Sequence, residues 1–435
     1  MSDAAPLITT GGRERAPAPS ALKTLVSVGL RYSFSALGPI SIAAAHFIAA
    51  LVFLRYLHRA DFGLFSFVFV VVPFALSLTG ALFGAALVNS SNAAVPMNDG
   101  ELAAYMKANL LFALLSSIAI FGVMRFASAG PKLSVVIAIY GALMTMRWFA
   151  RCHAFAVHKM KRAILSDFAY SGVMFAGLGA VTLAHDITPL EAAFLLTASA
   201  AVALIAFGRE FLAAQARAPF DGKVSDFLPI WRDLARWSVL GVVATEFTAN
   251  AHAYLVTFFA GPKAFALLAV GSLFMRPVTL VLTALPDAER PRMARAIAAS
   301  KFAVVTRTIF QFRVAALAVL VGTAVLAAVV MLWFPEIILK RGYPIDSVVG
   351  VIAVWTAVMG VRALRTPESV MLQAAREFRP LAGASLRSAA VSLIATCALL
   401  LAFGPLVSLL GVLAGDLVMA GGIFSLGRKW RAAHG

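Results

Sequence analysis

The sequence predicts an all-α polytopic membrane protein, with about twelve transmembrane helices arranged as two six-helix lobes. Three observations lead there. Of the 435 residues, 61% are hydrophobic and only 13% charged, about half the charged share of an ordinary soluble domain. The mean hydropathy is +0.89. The apolar residues are gathered into continuous runs of about 20, the length a helix needs to cross a hydrocarbon core. Inside lipid every backbone N–H and C=O needs an internal partner, which leaves helices or a closed barrel, and runs without period-2 alternation choose helices.

Taken from the N-terminus, a polar tail (1–32) precedes the first run, and further runs follow it, so that run reads as a span and not as a cleavable signal. The N-terminal lobe, 33–208, holds spans at 33–54, 62–88, 108–127, 132–150, 164–184 and 189–208. A linker (209–235) leads to the C-terminal lobe, 236–427, with spans at 236–259, 264–285, 314–334, 347–361, 382–403 and 405–427, and a short tail, 428–435. Gly80 and Gly84, four apart, read as a close-packing face in the second span.

An even number of spans puts both termini on one side. With that side cytoplasmic, roughly four-fifths of the 37 Lys and Arg fall on inner segments, as the positive-inside rule requires. The outer turns hold Arg55, Arg59, Arg125, Lys132, Lys263, Lys340 and Arg341, and Arg276 lies mid-span. The expected location is therefore the inner membrane, multi-pass, with both ends in the cytoplasm. The net charge of +17 then reflects topology and points to no nucleic-acid partner. Within the inner loop 286–313, Phe302, Val305, Ile309 and Phe312 recur at helical spacing among Lys301, Arg307 and Arg313. Two readings fit: an amphipathic helix on the anionic leaflet, with membrane lipids as partner, or an exposed basic connector.

The halves resemble each other. Arg31-Tyr32-Ser33 opens the first span and Arg236-Trp237-Ser238 the seventh; Phe62-Gly63-Leu64 opens the second and Phe265-Ala266-Leu267 the eighth. Ala156-Val157-His158-Lys159-Met160-Lys161 after span four aligns with Ala374-Ala375-Arg376-Glu377-Phe378-Arg379 after span ten. Each pair sits at the same topological place, as a parallel six-plus-six duplication would have it.

Chemistry is conspicuous by what is missing. There is no GxxxxGK[ST] loop for nucleotide and no HExxH. Cys152, His153 and His158 form too sparse a set for a metal. Two cysteines make no disulfide framework. With only short outer turns, the longest being about 335–346, no extracytoplasmic catalytic domain fits. No enzyme and no cofactor are expected.

What remains is ionisable side chains at membrane depth, where a charge costs on the order of 3 kcal/mol and usually faces a bundle interior or a wet cavity. These are His46, Glu246, His252, Arg276 and Asp416. Arg276, with His46 and His252, is the candidate cationic cavity; Glu246 and Asp416 are candidates for ion coupling. The structural alternatives are a buried Glu246–Arg276 pair, bundle-satisfied histidines, and an Asp416 that sits where Gly411, Gly415 and Gly421 let helices approach.

Tyr56-Leu57-His58-Arg59-Ala60-Asp61-Phe62-Gly63-Leu64-Phe65 resembles the short turn after the first helix of the polysaccharide transporters, the Wzx-like branch of the multidrug/oligosaccharidyl-lipid/polysaccharide superfamily. Gln373-Ala374-Ala375-Arg376-Glu377-Phe378-Arg379-Pro380 resembles a second recurrent stretch of that family. The resemblance implies a MATE-like fold and a flippase for an undecaprenyl-pyrophosphate-linked oligosaccharide, working beside a polysaccharide polymerase and glycosyltransferases. The alternative within the fold is a multidrug or cation antiporter, whose cavity would be acidic.

Overall fold

The computed structural model describes residues 21–84, 86–87, 99–157, 159–221, 223–339 and 343–434, with side chains from residue 37 onward except at 99, 234, 237, 248, 287, 288, 337, 338 and 434. His158, Lys340, Arg341, the first 20 residues and the side chains of Arg31, Tyr32 and Ser33 lie outside the described set. Every regular element among the described residues is helical. In chain order these are α1 (Ala21–Tyr56), α2 (Arg59–Thr79, continued by a π-turn at Gly80–Gly84), α3 (Asp99–Phe126), α4 (Pro131–Ala156), α5 (Met160–Ala184), α6 (Pro189–Ile205) and α7 (Arg209–Asp221). The second half has α8 (Arg236–Ala260), α9 (Pro262–Phe274), α10 (Arg276–Ala298), α11 (Phe302–Trp333), α12 (Ile345–Ala374), α13 (Phe378–Phe403) and α14 (Pro405–His434).

Among the described residues nine helices are long and apolar enough to cross a membrane, and two bent pairs, α6 with α7 and α9 with α10, raise this to as many as 11. The protein is a multi-pass helical membrane protein. Each of the expected spans falls on one helix or bent pair. α8 is not among the nine, and the apolar stretch described within it is Ser238–Phe247.

The neighbour relations in one half recur in the other. α1 packs on α5 as α8 packs on α13, α2 on α4 as α9 on α12, and α3 on α4 as α11 on α12. α6 touches α4 and α5 as α14 touches α12 and α13. Between the halves α2 meets α8 and α9, and α1 meets α9. Gly63 makes the closest of these approaches: a Cβ there would lie 1.9 Å from the carbonyl oxygen of Pro262.

The core explains how the halves are held. One cluster is shared by both, uniting Phe53, Phe65, Ile137, Val256, Leu268 and Val348. Toward the ends that carry the termini it divides. Phe83, Phe149 and Phe207 belong to one separate cluster, and Phe312, Met371 and Ile423 to another. Apolar burial therefore joins the two halves in one cluster on the side away from the termini; on the other side each half has its own cluster, and they meet there where the π-turn at Gly80–Gly84 touches α8.

Two expectations change. The 286–313 segment is not a surface loop: α10 runs to Ala298 and α11 starts at Phe302. Val305, Ile309 and Phe312 are buried against Met293, Val370, Met371 and Trp430, so protein covers the apolar stripe that was matched to the leaflet. The 209–235 linker is likewise structured, with α7 turned 101° from α6.

Candidate functional site

A cavity of about 110 Å³ lies between the halves, where α2, α8, α9, α10 and α12 converge. Its polar lining is Ser66, Asn250, His252, Ser272 and Arg276, and Phe62, Phe69, Phe265 and Trp355 supply the walls. Arg276 is placed there by a break. The chain bends 58° between α9 and α10, where Pro277 lacks the amide that would bond back into the preceding turn. The ion pairs among the described residues leave Arg276 out, and no carboxylate lines the cavity.

His252 reaches the same space from α8. Its ring meets Trp355 edge-on at 5.4 Å, and Trp355 Nε1 donates to the Leu268 carbonyl at 3.0 Å. The Nδ1 of His252 is buried without a partner among the described residues, an unmet polar atom in a site that otherwise has spare capacity. His46 stands one layer back. It stacks on Phe69 with ring centroids 5.0 Å apart, and its Nε2 is 2.8 Å from the Tyr170 hydroxyl.

The two acids behave differently from each other and from the sequence reading. Glu246 does not pair with Arg276. It accepts a hydrogen bond from Tyr254 Oη at 2.9 Å, and it does not line the cavity. Asp416 is away from the cavity, with its oxygens 2.9 Å from Arg362 Nε and 2.8 Å from Arg365 Nη2. Both oxygens are committed to guanidiniums, which argues for a structural part for Asp416 and against ion coupling.

Sequence reasoning missed the buried ion clusters because spans four and ten are longer than expected. α4 continues to Ala156 and α12 to Ala374; the second extension draws Arg362, Arg365 and Glu368 out of the loop and into a helix, while Arg147 already lay near the inner end of span four. Arg147 is 1% exposed and pairs with Asp167 of α5; Arg151 joins at 3.3 Å. Glu368 takes Arg313 and Arg431. Arg147 and Arg365 stand at the offset that relates Ala156 to Ala374. That correspondence was available in the sequence, and it marks the same helix face in each half. From Asp167 the network runs past Arg147, whose guanidinium lies 5.4 Å from the Tyr170 ring centre, to the Tyr140–Tyr170 hydroxyl pair at 3.1 Å and so to His46.

No protein-family model and no curated protein match the chain. Among solved structures, an inward-facing multidrug-resistance MATE transporter of the MOP superfamily is similar over 92% of this chain and 98% of its own, with TM-score 0.67 and 13% identity. The fold is that of the MATE transporters. The lipid II flippase MurJ in an inward closed conformation shares it, with TM-score 0.65 and 12% identity over 90% of this chain and 87% of that one. An outward-facing MATE transporter of the same superfamily has TM-score 0.56 at 13% identity over 93% of this chain and 95% of its own. At such identities the likeness is one of fold.

Proposed function

We propose that the protein is an inner-membrane flippase that carries a lipid-linked oligosaccharide, with an undecaprenyl-pyrophosphate head, to the outer leaflet for polysaccharide assembly. The observation that carries this reading is Arg276, a cation without an acidic partner among the described residues, in an inter-half cavity lined by His252 and by no carboxylate. A guanidinium at membrane depth is favourable when an anion shares its cavity, and a diphosphate is such an anion. The shared core on one side and the divided core on the other support a state closed away from the termini, from which the halves rock to expose the cavity alternately. A cavity of about 110 Å³ has room for a head-group fragment and no oligosaccharide, so loading requires the halves to part.

A multidrug or cation antiporter is the second reading, favoured by the fold shared with MATE transporters. It calls for acidic groups in the cavity, where no carboxylate is found among the described residues, and Glu246 of α8 is held by Tyr254. In the flippase reading both termini are cytoplasmic, and the outward product passes to a polymerase and its glycosyltransferases.

The test is reconstitution in sealed proteoliposomes holding a fluorescent isoprenoid-diphosphate oligosaccharide. Appearance of the sugar on the opposite face, lost in Arg276→Ala, supports the flippase. Efflux of a cationic dye without movement of the lipid-linked sugar supports the antiporter instead.

A further inference from the structure

A second cavity, of about 150 Å³, lies where the inner ends of α3 and α4 meet the start of α5 and the first turns of α7. It is separate from the inter-half cavity and shares no lining residue with it. Its walls are of two kinds. Met106, Phe207 and Phe211 are apolar; Lys159, Arg162 and Glu210 are charged.

The geometry of α7 sets the context. Gly208, with φ +93°, turns the chain, and a Cβ there would come within 3.3 Å of the Arg162 guanidinium. The resulting 101° bend sends α7 nearly perpendicular to the spanning α6, and so close to the plane of the membrane surface. Phe211, Gln215 and Ala218 turn toward the protein, and Arg209, Arg217 and an 87% exposed Phe220 face outward. A helix with that division of residues lies in the interface, with bases at head-group level.

The cavity's cations are available. Lys159 is exposed, and its ammonium has no hydrogen bond or ion pair among the described residues. Arg162 donates one N–H to the Phe207 carbonyl at 2.8 Å and is 3.6 Å from Glu210, whose side chain is 81% exposed. A pair that long and that wet adds little, so the guanidinium keeps donors for another anion.

We propose that this cavity binds the phosphate group of an anionic phospholipid of the adjoining leaflet, with Lys159 and Arg162 as its ligands and α7 as its cover. Phosphate chemistry alone would admit a free anion as well. The apolar wall of Met106, Phe207 and Phe211 selects the lipid, because a soluble phosphate gains nothing from it. The site stands whether or not the protein is a flippase.

The experiment is native mass spectrometry of the full chain, delipidated in detergent and titrated separately with phosphatidylglycerol, phosphatidylcholine and inorganic phosphate. Phosphatidylglycerol should be retained in preference to phosphatidylcholine. Lys159→Gln, which breaks no side-chain hydrogen bond or ion pair among the described residues, should weaken that retention about fivefold, the value of one base at a membrane surface. Arg387→Gln, an exposed base on α13, should leave it unchanged. Equal retention of both lipids, or full retention by Lys159→Gln, overturns the proposal. Binding of inorganic phosphate that shuts out phosphatidylglycerol assigns the site to a free anion and overturns the lipid.

Discussion

The hydroxyl of Tyr254 donates to the carboxylate of Glu246 at 2.9 Å, eight residues apart on the same helix, and Arg276 takes no part in that bond. The acid is thus satisfied without the cavity's cation, which is left without an acidic partner among the described residues. Arg276→Ala is expected to insert and fold as the wild type does while losing transport, and Arg276→Lys to keep part of it, since a point charge still attracts phosphate. The double change with Glu246→Ala should restore nothing. Membrane-fraction yield and transport, measured on the same preparations, check this; rescue by the double variant would return Arg276 to a structural pair.

Gly63 and Pro262 hold the two halves in contact on the side away from the termini. Near them Phe67 meets Tyr254, Phe258 and Phe265 edge-on at 5.5, 5.6 and 6.1 Å. Arg55 donates to the Glu336 carbonyl at 2.8 Å, and Arg59 lies 5.2 Å from the Tyr343 ring centre. Gly63→Ala forces a carbon against Pro262 backbone and should part this seal. In a background without Cys152 and Cys397, a Ser272→Cys probe in the cavity should then react faster with a membrane-impermeant maleimide from outside. Unchanged labelling would mean that the seal is elsewhere.

Breaking the Arg147–Asp167 pair strands a charge that is 1% exposed. Removing one partner of such a buried pair costs about 3–5 kcal/mol. Asp167→Ala should therefore lower the thermal unfolding midpoint well beyond what Glu210→Ala does, because Glu210 holds an exposed partner. Fluorescence-monitored unfolding in detergent gives the comparison.

Asp416→Asn is expected to lower stability without altering the ion dependence of transport, since both of its oxygens serve Arg362 and Arg365. Transport assayed under separate proton and sodium gradients tests it. Loss of the gradient response with normal stability would make Asp416 the coupling residue after all.

Reporter fusions after Arg217, Arg295 and Arg376 should read as cytoplasmic, and fusions near Ala129, His185 and Gly342 as external. An external signal at Arg217 would place α7 on the wrong leaflet and remove the basis for a lipid site beneath it.

Fold class was legible because hydrophobicity over about 20 residues answers a one-dimensional question, whether a segment is long enough to cross lipid with its backbone bonds satisfied internally. Charge along the chain answered a second, the expected orientation. Arg276 and His252 could be named from sequence for the same reason: at membrane depth a polar side chain is an exception. Their meeting could not. It depends on the bend at Met275–Arg276 and on α8 and α9 packing against α2, contacts between segments far apart in sequence. That Glu246 is taken by Tyr254 and not by Arg276 is seen only once the Tyr254 hydroxyl is placed in space. The spacing at Phe302–Phe312 indicates a helix with one apolar face, and neither the leaflet-bound helix nor the exposed connector is what the structure shows. Periodicity shows that a helix face is covered, and only tertiary packing shows whether lipid or Val370, Met371 and Trp430 cover it.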